Sequence, residues 1–350
     1  MIEFPQWRCA QPELHEEFER EQYHERSSIA SPWKILDRMT NLLRPGALVV
    51  LGGYQGFGKT LFCQQIAWEF CKPSHHGVGN WYYLMLEERK IDFQRRMLAH
   101  ISGLWGVLSD RPEEAAQRQE IAMQHSMELD EMDRHVLENP LKPVKVKGKM
   151  VVPELGFKEV LAWVTEALAG ENKEVVVRPG GFNETMGVEV APLKEQRTRP
   201  AARVVFIDSL SFISFGSGSQ KWDNQDLFAR QLAGLVESSQ GTVIVVAHIR
   251  KQRGADQDRI PTADDIREFP MLPKLAKTVI LLYARREMES EIFRAGGLTD
   301  TAKHNRLIAV DKARYGDGTG QKLAMNLAQV AFEEIGIIAP KKGKKNETPF

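Results

Sequence analysis

Apolar residues occur in this chain in two kinds of run, and the alternation between them predicts the fold. Four short runs have no polar face: Ala47 to Leu51, Trp81 to Leu86, Val204 to Ile207 within Arg203 to Asp208, and Thr242 to Ala247 before His248. Strands covered on both sides read in this way. Other segments space their apolar residues at helical intervals: Trp33 to Leu43, Leu61 to Phe70, Ile91 to Leu104, Phe157 to Ala169 and Asp226 to Ser238. Strands alternating with helices predict an α/β fold around a mostly parallel sheet. Strands at Thr278 to Tyr283, Arg306 to Val310 and Lys322 to Asn326 are expected to complete it, the last two as a pair.

The middle of the chain is patterned less clearly. Arg111 to Leu137 reads as a charged helical stretch and Leu141 to Val152 as a strand-like connection. Two β-branched runs, Glu174 to Arg178 and Gly187 to Ala191, flank Pro179-Gly180-Gly181 and predict an inserted surface hairpin turning there. Leu14 to Arg26 is too polar for a core helix and reads as an arm. The expected layout is an arm over residues 1–28, one α/β domain over 29–338 with an insertion near 171–200, and a basic flexible tail over 339–350 containing Lys341-Lys342-Gly343-Lys344-Lys345.

Composition narrows the class of protein. With 350 residues and 42% hydrophobic content the chain can bury a full core. Its 47 basic and 47 acidic residues balance, so any polyanion must be bound by a local cluster rather than by net charge. Cys9, Cys63 and Cys71 form no C-x-x-C pair and suit burial in a reducing, cytoplasmic setting. No apolar run reaches the ~18 residues of a membrane span, and the start lacks the layout of a secretory signal.

One segment carries explicit chemistry. Gly53-Tyr54-Gln55-Gly56-Phe57-Gly58-Lys59-Thr60 matches the phosphate-cradling pattern G-x-x-x-x-G-K-[ST] between a predicted strand and a predicted helix. Gly53, Gly56 and Gly58 allow a curve whose backbone N–H groups face a polyphosphate, and Gln55, Phe57 and Leu61 lie in the same cradle. Lys59 is expected to reach the terminal phosphates, and the Thr60 hydroxyl to take one position on Mg²⁺. The expected cofactors are ATP and Mg²⁺.

In a parallel sheet the ligand sits at the carboxyl ends of the strands, so the residues that end them become candidates. Asp208 has the position of a Walker B carboxylate that would hold the metal with Thr60. Glu87 immediately follows its strand and is the candidate base for the attacking water, in preference to Glu88. His248 ends the next strand and is a candidate sensor of the γ-phosphate.

Over roughly Ile29 to Ile335 the chain resembles the RecA-like ATPase domain of DnaB-type replicative helicases. The resemblance rests on Trp33 to Gly46, the phosphate loop, Met85-Leu86-Glu87, Ile207-Asp208-Ser209-Leu210, Asp265-Ile266-Arg267-Glu268 and Val310 to Gly316. It implies a RecA-like P-loop NTPase core, with a mostly parallel central sheet flanked by helices and with the inserted β-hairpin as an addition. It further implies that Glu87 is the catalytic base and that Lys312 and Arg314 reach a neighbouring subunit's γ-phosphate. His248 stands where the family has a Gln. Arg267 and Glu268 would lie in a loop touching single-stranded DNA, although Phe269-Pro270 replaces the Ser-Gly found there in the family. The family's N-terminal helical domain has no counterpart in the sequence, and the arm would dock on a neighbour in the manner of a linker helix.

An active site shared between subunits makes assembly a requirement, and the resemblance implies a homo-oligomeric ring of six. Loops at Ser211 to Asn224 and Arg250 to Thr262 would face its channel. Arg250, Lys251, Arg253 and Arg259 form a local cluster able to track a DNA backbone. The expected function is an ATP-dependent helicase or translocase on single-stranded DNA, with primase, a loader or a single-strand binding protein as possible partners and no membrane. Two other readings stay open: a RecA- or RadA-like recombination ATPase, and a nucleotide-gated scaffold without unwinding.

Overall fold

The computed structural model describes residues 30–71, 80–104, 115–133, 135–139, 144–146, 149–151, 154–169, 173–178, 181–183, 188–190, 193–198, 202–249, 259–266, 269–293, 299–328 and 331–339. The elements that build the sheet and its covering begin with α1 (Lys34–Thr40), β1 (Leu48–Gly53), α2 (Lys59–Cys71), β2 (Asn80–Met85) and α3 (Lys90–Ser102). Next come α4 (Ala115–Gln124), α5 (Ser126–Asp133), β3 (Val136–Glu138), β4 (Val144–Val146), β5 (Lys149–Val151), β6 (Leu155–Gly156) and α6 (Phe157–Ala169). The insertion holds β7 (Lys173–Arg178), β8 (Gly181–Asn183), β9 (Val188–Val190) and β10 (Leu193–Thr198). The rest is β11 (Ala202–Asp208), β12 (Ile213–Ser214), α7 (Ser219–Ser239), β13 (Thr242–His248), α8 (Met271–Leu275), β14 (Thr278–Phe293), β15 (Thr299–Ala313), β16 (Lys322–Ala328) and β17 (Ala331–Ile338).

Six strands, in the order β14-β1-β13-β11-β2-β3, run parallel, with the phosphate-loop strand near the centre. Their side chains divide by parity between two cores. Val49, Leu51, Phe206, Tyr83 and Val246 join Phe62 and Ile66 of α2 on one face. Leu48, Val50, Val205, Leu84 and Val245 join Val160 and Val164 of α6 and Phe228 and Leu232 of α7 on the other. Both faces of β1, β2, β11 and β13 are therefore dry, which is why their runs carry no polar alternation. Each such side chain contributes on the order of 1.5–3 kcal/mol by burial.

The sheet continues into an antiparallel part. β15 pairs with β14 and β16, β16 with β17, and β17 returns to β14 at Ile292↔Ile338 and Phe293↔Ile337. These four strands close into a circuit. The expected last pair thus has a third member, β17, which the sequence hides because Glu333-Glu334 and Gly336 interrupt its apolar pattern. Glu334 is used locally: its carboxylate accepts the Ile35 N–H at 2.9 and 3.1 Å, satisfying an orphan donor at the start of α1.

Three other expectations change. The charged stretch read to Leu137 is helical only to Asp133, because Val136–Glu138 pairs in parallel with β2. α7 starts at Ser219 rather than Asp226, so the end of the supposed channel loop is helix. The hairpin does not turn at Pro179-Gly180-Gly181. β7 pairs with β10 (Arg178↔Leu193) and β8 with β9 (Gly181↔Val190) in one shared register, so the reversal falls between Asn183 and Val188. In sequence, Pro179 falls between β7 and β8 and Pro192 between β9 and β10, and a proline cannot donate to a ladder. The N-terminal arm and Lys341 to Lys345 lie outside the described residues.

Candidate nucleotide-binding site

The loop after β1 is shaped by its glycines and by an aromatic floor. Gly56 and Gly58 take φ of +79° and +96°, which side-chain-bearing residues rarely adopt. A Cβ on Gly58 would also lie 2.9 Å from the Phe332 ring of β17, so strand and loop fix each other. Gln55 and Gly56 are exposed, Phe57 and Thr60 half-buried, and Gly53 and Leu61 buried. Tyr54, Phe57 and Tyr283 form an edge-to-face series beneath the loop, with centroids 5.3 and 6.3 Å apart.

Lys59 is 5% exposed, and its ammonium donates to the Tyr54 carbonyl at 2.9 Å. Burial pulls its pKa down, while Asp208 and Glu87 act in the opposite direction. Asp208 sits at the end of β11, buried, where the Tyr83 hydroxyl donates to it at 2.7 Å and the Thr60 hydroxyl hydrogen-bonds it. Burial raises its pKa against the pull of those two donors. Tyr83 was not singled out in the sequence, where it reads as one more apolar strand residue. Its parity with Trp81 and Met85, on the face that carries α2, was the available signal.

Glu87 follows β2 and meets His248, the last residue of β13, with 3.2 Å between Oε2 and Nε2. The Ser209 hydroxyl donates to the same oxygen at 3.3 Å. The His248 contact holds the Glu87 carboxyl below its ordinary range, with burial opposing. Glu88 lies instead on Arg96 of α3, whose Nε donates to Gln64 at 3.3 Å, and burial raises the Glu88 pKa. Lys59, Thr60, Glu87, Asp208 and His248 are thus brought to one end of the sheet.

The donor set suits a small hard cation. Thr60 and Asp208 offer oxygens only, and among the described residues no group of three His, Cys, Asp or Glu could cage a metal by itself. Mg²⁺ is commonly held by one or two protein oxygens together with substrate phosphates and water, so these residues fit it. When bound there, Mg²⁺ would neutralise charge on the phosphates.

Lys312 and Arg314 are elsewhere. Thr278 pairs with Val49 on one side and Ala313 on the other, whereas the phosphate loop leaves β1 at Gly53. Four strand steps, about 13 Å, separate those levels. The Lys312 ammonium donates to the carbonyls of Lys274 (2.7 Å) and Pro273 (3.3 Å), and Arg314 is exposed.

The proposed DNA contacts Arg250, Lys251, Arg253, Arg267 and Glu268 lie outside the described residues. Arg259 does not extend their basic cluster. Its guanidinium is paired with buried Asp265 at 2.6 Å, and Asp265 also closes a capping box with Thr262. Cys63 and Cys71 are buried free thiols, and among the described residues no helix is long and apolar enough to cross a membrane.

A parallel sheet with a lysine-bearing glycine loop after its central strand, and a buried carboxylate two strands away, defines a P-loop nucleotide-binding domain of the RecA-like kind. A family model described as an AAA domain matches residues 15–254, and the chain belongs to that family. No curated protein matches the sequence. The fold is that of DnaB-type helicase ATPase domains. One solved structure, described as an ATPase domain, superposes with a TM-score of 0.59 at 16% identity, covering 93% of this chain and 99% of that one. A DnaB-like replicative helicase, described with its interactions with primase, superposes with a TM-score of 0.58 at 15% identity over 91% of this chain. The chain spans 65% of that helicase's length.

Proposed function

We propose that this chain is an ATP-hydrolysing motor that assembles head to tail into a ring of six, the number implied by its resemblance to DnaB-type helicases, and moves along single-stranded DNA. The observation that carries the reading is the separation of the candidate groups between opposite ends of one sheet. Lys59, Thr60, Asp208, Glu87 and His248 gather at the phosphate loop, while Lys312 and Arg314 are too far along the strands to serve it.

Backbone N–H groups from Gly53 to Lys59 cradle the phosphates, and Lys59 exchanges the Tyr54 carbonyl for a phosphate oxygen. Glu87, kept ionised by His248 and Ser209, accepts a proton from the attacking water. Lys312 and Arg314 approach a neighbour's γ-phosphate, where Arg314 neutralises charge spreading over the transferred oxygens. His248 stands directly before the segment holding Arg250, Lys251 and Arg253, so its contact with Glu87 gives DNA engagement a route to the base. Arg267 and Glu268 join these as backbone contacts. The arm over 1–28 docks on the next copy, and 29–338 acts as the motor domain.

Steady-state ATP turnover with and without single-stranded oligonucleotide tests the reading, together with unwinding of a forked duplex. Several-fold stimulation and strand separation are expected. Equal turnover in both conditions would sink the motor. DNA-independent oligomers without unwinding would point to a nucleotide-gated scaffold, and strand exchange to a recombinase. Oligomers imaged with a non-hydrolysable ATP analogue report the ring.

A further inference from the structure

The end of the sheet away from the phosphate loop gathers cations around one tyrosine. Lys277 precedes β14, where its N–H donates to Leu48 O at 2.8 Å and its carbonyl accepts the Arg314 N–H at 2.9 Å. Its ammonium is 5.9 Å from the centroid of the Tyr315 ring, and the Arg44 guanidinium is 4.1 Å from the same ring. Two positive groups of different elements are therefore spaced by one aromatic side chain. Lys312 lies near enough to both Arg314 and Lys277 for their charges to disfavour its own, in addition to its burial.

Little negative charge compensates for Lys277, Lys312 and Arg314. The acid nearest to Lys277 is Glu237, 3.4 Å away and 70% exposed, a pair of the kind that contributes little. Among the described residues no carboxylate pairs with Lys312 or Arg314. The surroundings are nevertheless rigid. A Cβ on Gly316 would lie 2.1 Å from Met39 O, and one on Gly318 2.6 Å from the Met39 side chain, while the Gly318 N–H donates to Met39 O at 2.9 Å. Thr319 hydrogen-bonds both the N–H and the carbonyl of Ala313. Only 15% of the Lys277 side chain is exposed, so its stem is fixed and its head is set in place. Crowded like charges on a rigid support are unfavourable in an isolated subunit and favourable once a polyanion arrives.

We propose that Arg44, Lys277, Lys312 and Arg314 form a single preformed cradle for the terminal phosphates of a nucleoside triphosphate held by a neighbouring copy. Lys277 is its third phosphate contact, and Tyr315 is the strut that sets the spacing. The proposal rests on the reading of Lys312 and Arg314 as groups acting in trans. Arg44 and Lys277 at one ring, with Lys312 close to Lys277 and Arg314, make a compact group that matches a triphosphate better than an extended strand of nucleic acid.

The test uses the full chain with Lys277→Gln, Lys277→Arg and, as reference, Arg314→Ala. For each variant kcat, KM, affinity for a non-hydrolysable ATP analogue, single-stranded DNA affinity and thermal midpoint are measured. In Lys277→Gln, kcat is expected to fall roughly 10-fold while analogue affinity stays within about 2-fold. The midpoint should hold or rise, because repulsion is relieved, and Lys277→Arg should recover most of kcat. Unchanged kcat in Lys277→Gln beside an inactive Arg314→Ala overturns the proposal alone. A joint fall of kcat and midpoint without rescue by arginine overturns it in favour of a structural role. Loss of DNA affinity with kcat intact overturns it in favour of a nucleic-acid cradle. Full turnover in Arg314→Ala removes the trans reading itself, a result distinct from the other three.

Discussion

The two ends of the central sheet differ in how their charges are balanced. At the phosphate-loop end Lys59 is buried between Asp208 and Glu87, and every carboxylate there has a hydrogen-bond partner from its own chain. At the far end Arg314 and Lys277 disfavour the charge of Lys312, and the acid paired with Lys277, Glu237, is exposed. The first end is a nearly complete site for a polyphosphate. The second has the chemistry of a partner for one, and under the proposed function the two ends would meet only between neighbouring copies.

The strongest way to break this comparison is to damage one end at a time. Arg314→Ala should lower ATP turnover by about 10³-fold with nucleotide affinity nearly unchanged. Glu87→Gln should lower it by about 10²–10⁴-fold. Mixing the two inactive variants should restore part of the turnover, because an intact Glu87 then faces an intact Arg314 across some interfaces. A mixture as inactive as its components would place both residues in one subunit's site and dissolve the contrast.

A smaller effect probes the balanced end alone. Tyr83→Phe removes one donor from buried Asp208 and should cost about 1–3 kcal/mol of stability, read by urea denaturation. An unchanged midpoint would mean that Thr60 alone suffices for Asp208.

Asp37 lies in α1, which supports the cation-bearing tip through Met39. Burial raises the Asp37 pKa from 3.8 to about 6, against hydrogen bonds from Ser31 and with Glu334 adding to the rise. Between those values the folded chain holds a proton that the unfolded chain has released, so stability falls as pH rises through this window and stays lowered above it. Asp37→Asn removes that slope. The variant should match the wild type below the window and exceed it at neutral pH by up to about 3 kcal/mol. Identical stability profiles across the window would show that Asp37 titrates normally.

Much of the phosphate-loop end was legible because its signals are local. Gly53 to Thr60 carry their chemistry in consecutive residues, and the runs ending at Glu87, Asp208 and His248 are apolar on both faces, so strand and strand end are visible together. The hairpin was legible as a hairpin but not in its register, because β-branched runs show that strands pair without showing with which. β17 was hidden by Glu333 and Glu334, and the role of Glu334 depends on Ile35, about three hundred positions away in sequence.

By itself, then, the sequence determined the class of fold and the phosphate loop, since burial on both faces and a glycine curve before Lys59 are properties of adjacent residues. Tertiary structure decided what those residues meet. It put Tyr83 on Asp208 and His248 on Glu87, committed Arg259 to Asp265, and set Lys277 and Arg44 about Tyr315. The physical reason is that charge balance in a buried site depends on distances of a few ångströms between separate strands, and no periodicity along the chain records which strands become neighbours.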